Sequence, residues 1–206
     1  MLLSGGIDSA TALCLTKRTY AVRAITFEYH GVARRELEAA RAVANKLGVV
    51  EHRVVRLPDL KEAADIPGFD RGMLPPTYIP LRNSVFYSLA ASVAEESGAE
   101  LIVGGHNKDD AKIFHDVSSK FFAAQQAAFR AASPVLRRNR VSISRPLRLK
   151  TKVQVIALAN ELRVPFELTW SCHREGMKHC WSCPGCVSRR ESFAKAGVAD
   201  PLSPKW

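Results

Sequence analysis

Six residues near the start, Ser4-Gly5-Gly6-Ile7-Asp8-Ser9, constrain this chain more than any others. They follow the apolar Met1-Leu2-Leu3 and precede the helix-like run Ala10-Thr11-Ala12-Leu13-Cys14-Leu15, so they read as the turn between a strand and a helix. Two adjacent glycines let the backbone turn tightly and bring its N–H groups close to a ligand. The serine hydroxyls and the first amides of the following helix add donors at the same spot, so the natural ligand is an anion. Asp8 would repel that anion unless it holds a metal ion or the loop itself, which makes Mg²⁺ the expected cofactor. An ordinary Gly-rich turn capping a helix needs only the Ser-Gly-Gly; the complete hexamer behind an apolar segment points to phosphate.

The commoner nucleotide loop, G-x-x-x-x-G-K-[ST], needs a lysine that is missing here. The hexamer instead resembles the SGGxDS "PP-loop" of ATP pyrophosphatases. That resemblance implies an ATP-binding set of Leu3, Ser4, Gly5, Gly6, Ile7, Asp8 and Ser9, with pyrophosphate as the leaving group.

Hydrophobic periodicity extends the strand–helix start into an α/β pattern. Strands are expected over 21–27, 49–55, 100–105 and 142–147, which with the segment before the loop makes a parallel five-stranded sheet flanked by helices. Only three residues precede the loop, so that first strand is expected to be stunted or the start truncated. Helices are expected over 33–47, stopped by Gly48, over 84–96, over 115–132 and from a Thr151 cap to about Leu162. Residues 58–76, with Pro67-Gly68 and Pro75-Pro76, read as a long loop.

Ligands of such sheets bind beyond the carboxyl ends of the strands. Glu28-Tyr29-His30 and the polar knot His106-Asn107-Lys108-Asp109-Asp110 fall there, making Asn107 and Asp110 site candidates. Arg82-Asn83 opens a helix, where Asn83 can cap and Arg82 can project a guanidinium toward an anion; a plain capping pair reads equally well. Lys152 in the first turn of its helix is electrostatically misplaced unless an anion or solvent meets it.

Four of the five cysteines crowd into Cys172, Cys180, Cys183 and Cys186, spaced C-x7-C-x2-C-x2-C. Four thiolates so close fit a tetrahedral, structural Zn²⁺ site rather than disulfides, with an iron–sulfur cluster as the rival. His173 and His179 flank the set and offer substitute ligands. Cys14 reads as a small apolar residue of the loop helix. The organisation that follows is a nucleotide-binding unit over 1–165 and a zinc-binding segment over 166–206 packed on it.

The formal charge of +10 permits nucleic acid but suits equally an enzyme of ATP, pyrophosphate and an anionic acid. The basic clusters Arg34-Arg35 and Arg137-Arg138-Asn139-Arg140 are short, so direct tRNA contact is not favoured. No run approaches the ~20 apolar residues that span a bilayer, and no signal peptide is read before the loop, so a cytoplasmic location is expected.

The hexamer, Tyr78-Ile79-Pro80-Leu81-Arg82-Asn83, Leu168-Thr169-Trp170-Ser171-Cys172 and the stretch Arg189 to Gly197 together resemble the 7-cyano-7-deazaguanine synthase family over nearly the whole length. The resemblance implies an adenine nucleotide alpha-hydrolase-like, homodimeric enzyme that uses ATP and ammonia to turn 7-carboxy-7-deazaguanine, through an amide, into the nitrile used for queuosine or archaeosine in tRNA. It adds Phe27, Tyr29, Arg82, Asn83, Asn107, Asp110, Asp116 and Lys152 as substrate or catalytic candidates, and assigns the four cysteines to zinc. Two motifs depart from the family: Gly-Gln-Arg-His after Tyr29 becomes His30-Gly31-Val32-Ala33, and aromatic-Pro-Asp-Cys-Arg becomes Phe114-His115-Asp116-Val117-Ser118. Each departure loses an arginine that would hold a carboxylate. A different acid, an amide product, a tRNA-base-adenylating enzyme and a non-catalytic nucleotide- or RNA-binding zinc protein are the alternatives.

Overall fold

The computed structural model describes residues 1–29, 31–70, 72–74 and 78–204. Elements run α1 (Ile7–Thr16), β1 (Arg23–Tyr29), α2 (Arg34–Leu47), β2 (Glu51–Leu57), α3 (Arg82–Ser97), β3 (Leu101–Val103), α4 (Asp110–Ile113), α5 (Ser119–Ala132), α6 (Pro134–Arg138), β4 (Ser142–Ser144), α7 (Lys152–Glu161) and α8 (Pro184–Ala196). His30 and Pro75-Pro76, which the sequence reading placed in polar loops, lie outside the described residues.

Among the described residues there are four strands, not five. They form two parallel pairs, with Arg23 opposite Glu51 in β1–β2 and Leu101 opposite Ser142 in β3–β4. Met1–Leu3 lies between the pairs, and the turn that begins at Ser4 carries the chain off into α1, so it makes a bridge instead of a strand. Leu2 pairs with Ile25, Leu3 N–H donates to Ile25 O at 2.9 Å, and Leu2 N–H donates to Val103 O at 2.9 Å. β4 also ends early, at Ser144, before the Pro146 that cannot donate to a ladder.

Side chains alternate across this sheet and divide the core in two. Leu3 and Ala24 face a layer with Leu13, Val43, Ile156, Phe166 and Phe193, built under α1, α2, α7 and α8. Ile25, Phe27 and Ile102 face the other layer with Tyr87, Phe122 and Leu136, under α3, α5 and α6. Each fully buried aliphatic side chain here contributes about 1.5–3 kcal/mol. Phe166 and Phe193 join the first layer and meet edge-to-face at 4.8 Å, while Cys172, Cys183 and Cys186 form a small cluster of their own.

Local signals explain most helix ends. Gly48 stops α2 in the left-handed region at φ 62°, and Thr151 with Gln154 forms a capping box on α7. The expected helix from His115 instead begins at Ser119, because the Ser118 hydroxyl accepts the Phe121 N–H and resets the start after a 3-10 turn. Asn83 is not a cap either. α3 starts at Arg82 behind Leu81, and Asn83 is buried in the first turn, where its N–H and side-chain amide both donate to Asp116 at 3.3 Å. Helix α8, which the sequence reading left unassigned, is held from its core side by Arg189. That guanidinium is fully buried, forks onto both Asp200 oxygens at 2.7 and 2.8 Å, and also donates to Thr169 and Phe166.

Candidate active site and metal-ligand cluster

The loop is built to receive an anion. Gly5 takes φ 81° and lies so close to α2 that a Cβ there would stand 2.6 Å from Glu36 O, which only glycine permits. Ser9 Oγ accepts the Ser4 N–H at 3.2 Å and donates to Gly6 O at 3.0 Å, tying the turn shut. No side chain caps α1, so its first amides stay open to a ligand.

The loop after β3 is pressed against the start of α1. A Cβ on Gly105 would stand 2.8 Å from Ser9 N, and this close approach carries the next residues to Asp8. Asn107 Oδ1 accepts the Asp109 and Asp110 N–H groups, and its Nδ2 points at Asp8 Oδ2, 3.5 Å away. Lys152 Nζ reaches the same oxygen at 2.6 Å from the first turn of α7. The anion that Lys152 meets is therefore Asp8.

Asp8 Oδ1 is buried and has no hydrogen-bond partner among the described residues. Burial, and then the charge of Asp8, push the Asp110 carboxyl up to about 6, while the Asn107 N–H it accepts at 3.0 Å pulls the other way. Two neighbouring carboxylates with one lysine and an orphaned oxygen suit a divalent, oxygen-ligated cation such as Mg²⁺.

One cavity of about 390 Å³ joins the loop to the strand ends. That volume suits a small molecule. Leu3, Ser4, Asp8, Ser9 and Asp110 line one part; Phe27, Tyr29, Arg82 and Asn83 line another, with Glu36, Phe86, His106 and His173. Phe27 and Phe86 stack at 4.1 Å, making a flat aromatic wall. Burial holds Tyr29 neutral, up to about 12, and pushes His106 down to about 4, so both face the cavity uncharged near neutral pH.

The four cysteines come together, their sulfurs all within 4.8 Å of one another. Cys172–Cys183 and Cys180–Cys186 stand 3.9 Å apart. Sulfurs on a tetrahedron about a metal at ~2.3 Å lie ~3.8 Å apart, so the set fits Zn²⁺. Hydrogen bonds from Ser182 draw the Cys180 thiol down to about 5, whereas burial pushes Cys172 up, so a cation is what would let all four ionise together. His179 is not part of the cluster; its Nε2 accepts the Ser171 N–H at 3.1 Å, between the rings of Trp170 and Trp181. The cluster is fastened to the phosphate loop, since Trp170 N–H donates to Gly5 O at 3.0 Å.

A family model described as queuosine biosynthesis protein QueC matches residues 1–197. This chain belongs to that family. It is 34% identical over 213 residues to the 7-cyano-7-deazaguanine synthase of Thermoplasma acidophilum, covering 98% of this chain and 90% of the relative. It is 37% identical over 220 residues to the protein of the same name from Thermosynechococcus vestitus, covering 98% and 93%. In structure it resembles NMN synthetase from Francisella tularensis, with a TM-score of 0.54 and 15% identity over 100% of this chain and 88% of that one. That likeness concerns the fold alone.

Of the residues named from the sequence, the QueC-family fold brings most of the loop set, Phe27, Tyr29, Arg82, Asn83 and Asp110 to one cavity, with Asn107 and Lys152 bonded to Asp8. Gly5, Gly6 and Ile7 shape the loop from beneath; Ile7 is core. Asp116 is not among the residues lining the cavity: it accepts the Asn83 N–H at the start of α3. The departures beside it have structural uses, since Val117 is buried and Ser118 caps α5. Glu36, Phe86, His106 and His173 were missed. Glu36 had a legible signal, as an acid in the first turn of the helix that follows a strand end.

The raised Asp110 carboxyl makes a testable statement about stability. Between its ordinary 3.8 and about 6 the folded chain binds more protons than the unfolded one, so stability falls as pH rises through this window. Asp110→Asn is expected to stabilise the fold at pH 8 without nucleotide or metal by on the order of 2–3 kcal/mol, read as a higher Tm, and to give no gain below pH 4. Thermal melts at both pH values check this.

Proposed function

We propose that this chain makes 7-cyano-7-deazaguanine, the product in its relatives' names, from 7-carboxy-7-deazaguanine, ATP and ammonia. The observation that carries the reading is the single cavity in which the Ser4–Ser9 loop and the Phe27, Tyr29, Arg82, Asn83 group share walls. Arg82 orients the acid carboxylate, and the aromatic wall of Phe27 and Phe86 takes the flat ring system. The carboxylate attacks the α-phosphorus, and the loop amides with the α1 N-terminus receive the departing pyrophosphate. Mg²⁺ held by Asp8 and Asp110 would supply positive charge against the phosphates. Ammonia displaces AMP from the acyl-adenylate to give the amide. A second ATP activates the amide oxygen in the same way, and loss of AMP leaves the nitrile.

Zn²⁺ on the four cysteines has a structural role in this reading, because a closed thiolate set leaves no position for substrate. A homodimer and a cytoplasmic location complete the proposal. Among the described residues no helix is long and apolar enough to cross a membrane.

The purified protein is expected to exchange pyrophosphate into ATP only when the deazaguanine acid is present, and to yield nitrile, AMP and pyrophosphate once ammonium is added. Mass spectrometry of the product decides between nitrile and amide. Exchange driven by tRNA instead of the acid would overturn the assignment.

A further inference from the structure

Nitrogen enters this reaction as ammonium at neutral pH and leaves in a nitrile, so it must give up every proton it carries. One proton goes before its lone pair can attack the acyl carbon, and another as the C–N bond forms and the bond from carbon to the AMP oxygen breaks. The remaining two go when the amide oxygen takes the second adenylyl group and when AMP departs as the nitrile forms. The cavity therefore has to hold a base within reach of the nitrogen at the acid end, away from the phosphates.

We infer that the Glu36 carboxylate is this base, taking the proton from ammonia as it attacks the acyl-adenylate and again from the amide nitrogen in the second half-reaction. The assignment rests on the function proposed above. Glu36 projects from the first turn of α2, whose backbone is fixed against Gly5, into the cavity that also holds Arg82 and Tyr29. Arg82, which orients the acid in this reading, is near enough to oppose the rise of the Glu36 carboxyl, so the two share one end of the cavity.

Apart from His173, which sits beside the cysteine cluster, the other titratable groups facing this cavity are engaged or unsuited. Asp8 is bonded to Lys152, and Asp110 accepts the Asn107 N–H at the phosphate end. Asp116, a catalytic candidate from the family resemblance, does not line the cavity, and its carboxylate accepts the Asn83 N–H of α3. Tyr29 is held neutral and His106 is too acidic as a cation to accept a proton at pH 7. Burial pushes Glu36 up to about 7, opposed by Arg82, which suits a group that must both take and release protons near neutrality. Of the charged and titratable groups facing the cavity, Arg82 on α3 opposes this rise; Tyr29 on β1, Asp8 on α1, His106 after β3 and His173 after Cys172 also line it.

The test is Glu36→Gln in the full-length protein, with three readouts. Acid-dependent ATP–pyrophosphate exchange needs no nitrogen base and should stay within about threefold of wild type. Hydroxylamine, already unprotonated at pH 7, should trap the acyl-adenylate as the hydroxamate at a near-normal rate. Amide formation from ammonium should fall by about 10²–10⁴, the usual contribution of a general base. Loss of all three rates together would make Glu36 a binding or structural residue and overturn the inference, as would unchanged amide formation.

Folding of the variant is checked independently. A carboxylate pushed up to about 7 weakens the fold as pH rises through that value, so Glu36→Gln should melt higher than wild type at pH 8. Should the variant not fold, wild type still decides. At constant free ammonia its amide formation should drop below pH 7, while hydroxamate formation at constant free hydroxylamine stays flat, and parallel profiles would refute the base. If wild type shows no acid-dependent exchange at all, it is the proposed function that fails, and this assignment goes with it.

Discussion

Asp8→Asn is expected to abolish cleavage of ATP to AMP and pyrophosphate, lowering kcat by at least about a hundred- to a thousandfold, while leaving the melting curve nearly unchanged. Two features of Asp8 separate its chemistry from its structural worth. Its Oδ1 is buried with no hydrogen-bond partner among the described residues, a cost the fold bears without return unless a cation or substrate comes to it. Its Oδ2 holds Lys152 at 2.6 Å, but losing that pair is offset by relief of the repulsion that the Asp8 charge exerts on Asp110. Asparagine keeps the shape and removes the charge. Ion-exchange chromatography of the nucleotides reads the result, and ADP with phosphate from the wild type would contradict the pyrophosphatase chemistry altogether.

The Ser4–Ser9 turn was legible because its geometry is local, and the anion site proposed there rests on it. Glycines, serines and a helix start within six residues state an anion site without help from the rest of the chain. The cysteine cluster was legible for the same reason, since its spacing is a property of the sequence. What could not be read was which side chains meet across long separations. Lys152 looked like a cation in search of a ligand, and only the packing of α7 beside α1 shows that its partner is Asp8, 144 residues away. Asp116 looked catalytic by position in a motif, yet the turn before α5 directs its carboxylate to α3. The sheet was overcounted because an apolar triplet was given the weight of a strand, although the loop that begins at Ser4 leaves it a single bridge, Leu2 to Ile25. Buried Arg189 shows the converse: a charge in sequence became core in the fold, since Asp200, Thr169 and Phe166 together satisfy its donors.

Removing metal from the cysteine cluster is expected to have the largest effect on stability, and to reach the phosphate loop as well. Cys183 is the sharpest probe. It is buried, it lies at the N-cap of α8, and its sulfur stands 3.9 Å from that of Cys172 while its own N–H donates to Cys180 Sγ at 3.3 Å. Serine there keeps the volume but replaces a thiolate with a hydroxyl that binds zinc poorly. If metal affinity falls about a thousandfold, the folded state loses ~4 kcal/mol of linkage. For a domain of this size that lowers Tm by roughly 8–16 °C. The loss travels, because Trp170 N–H donates to Gly5 O and His173, next to Cys172, lines the cavity. Cys183→Ser should therefore lower zinc content and Tm together and raise KM for ATP, whereas Asp8→Asn lowers kcat with zinc and Tm intact. Elemental analysis beside melting curves tests the pair, and full zinc occupancy in the serine variant would remove the cluster from the account of how this fold is held.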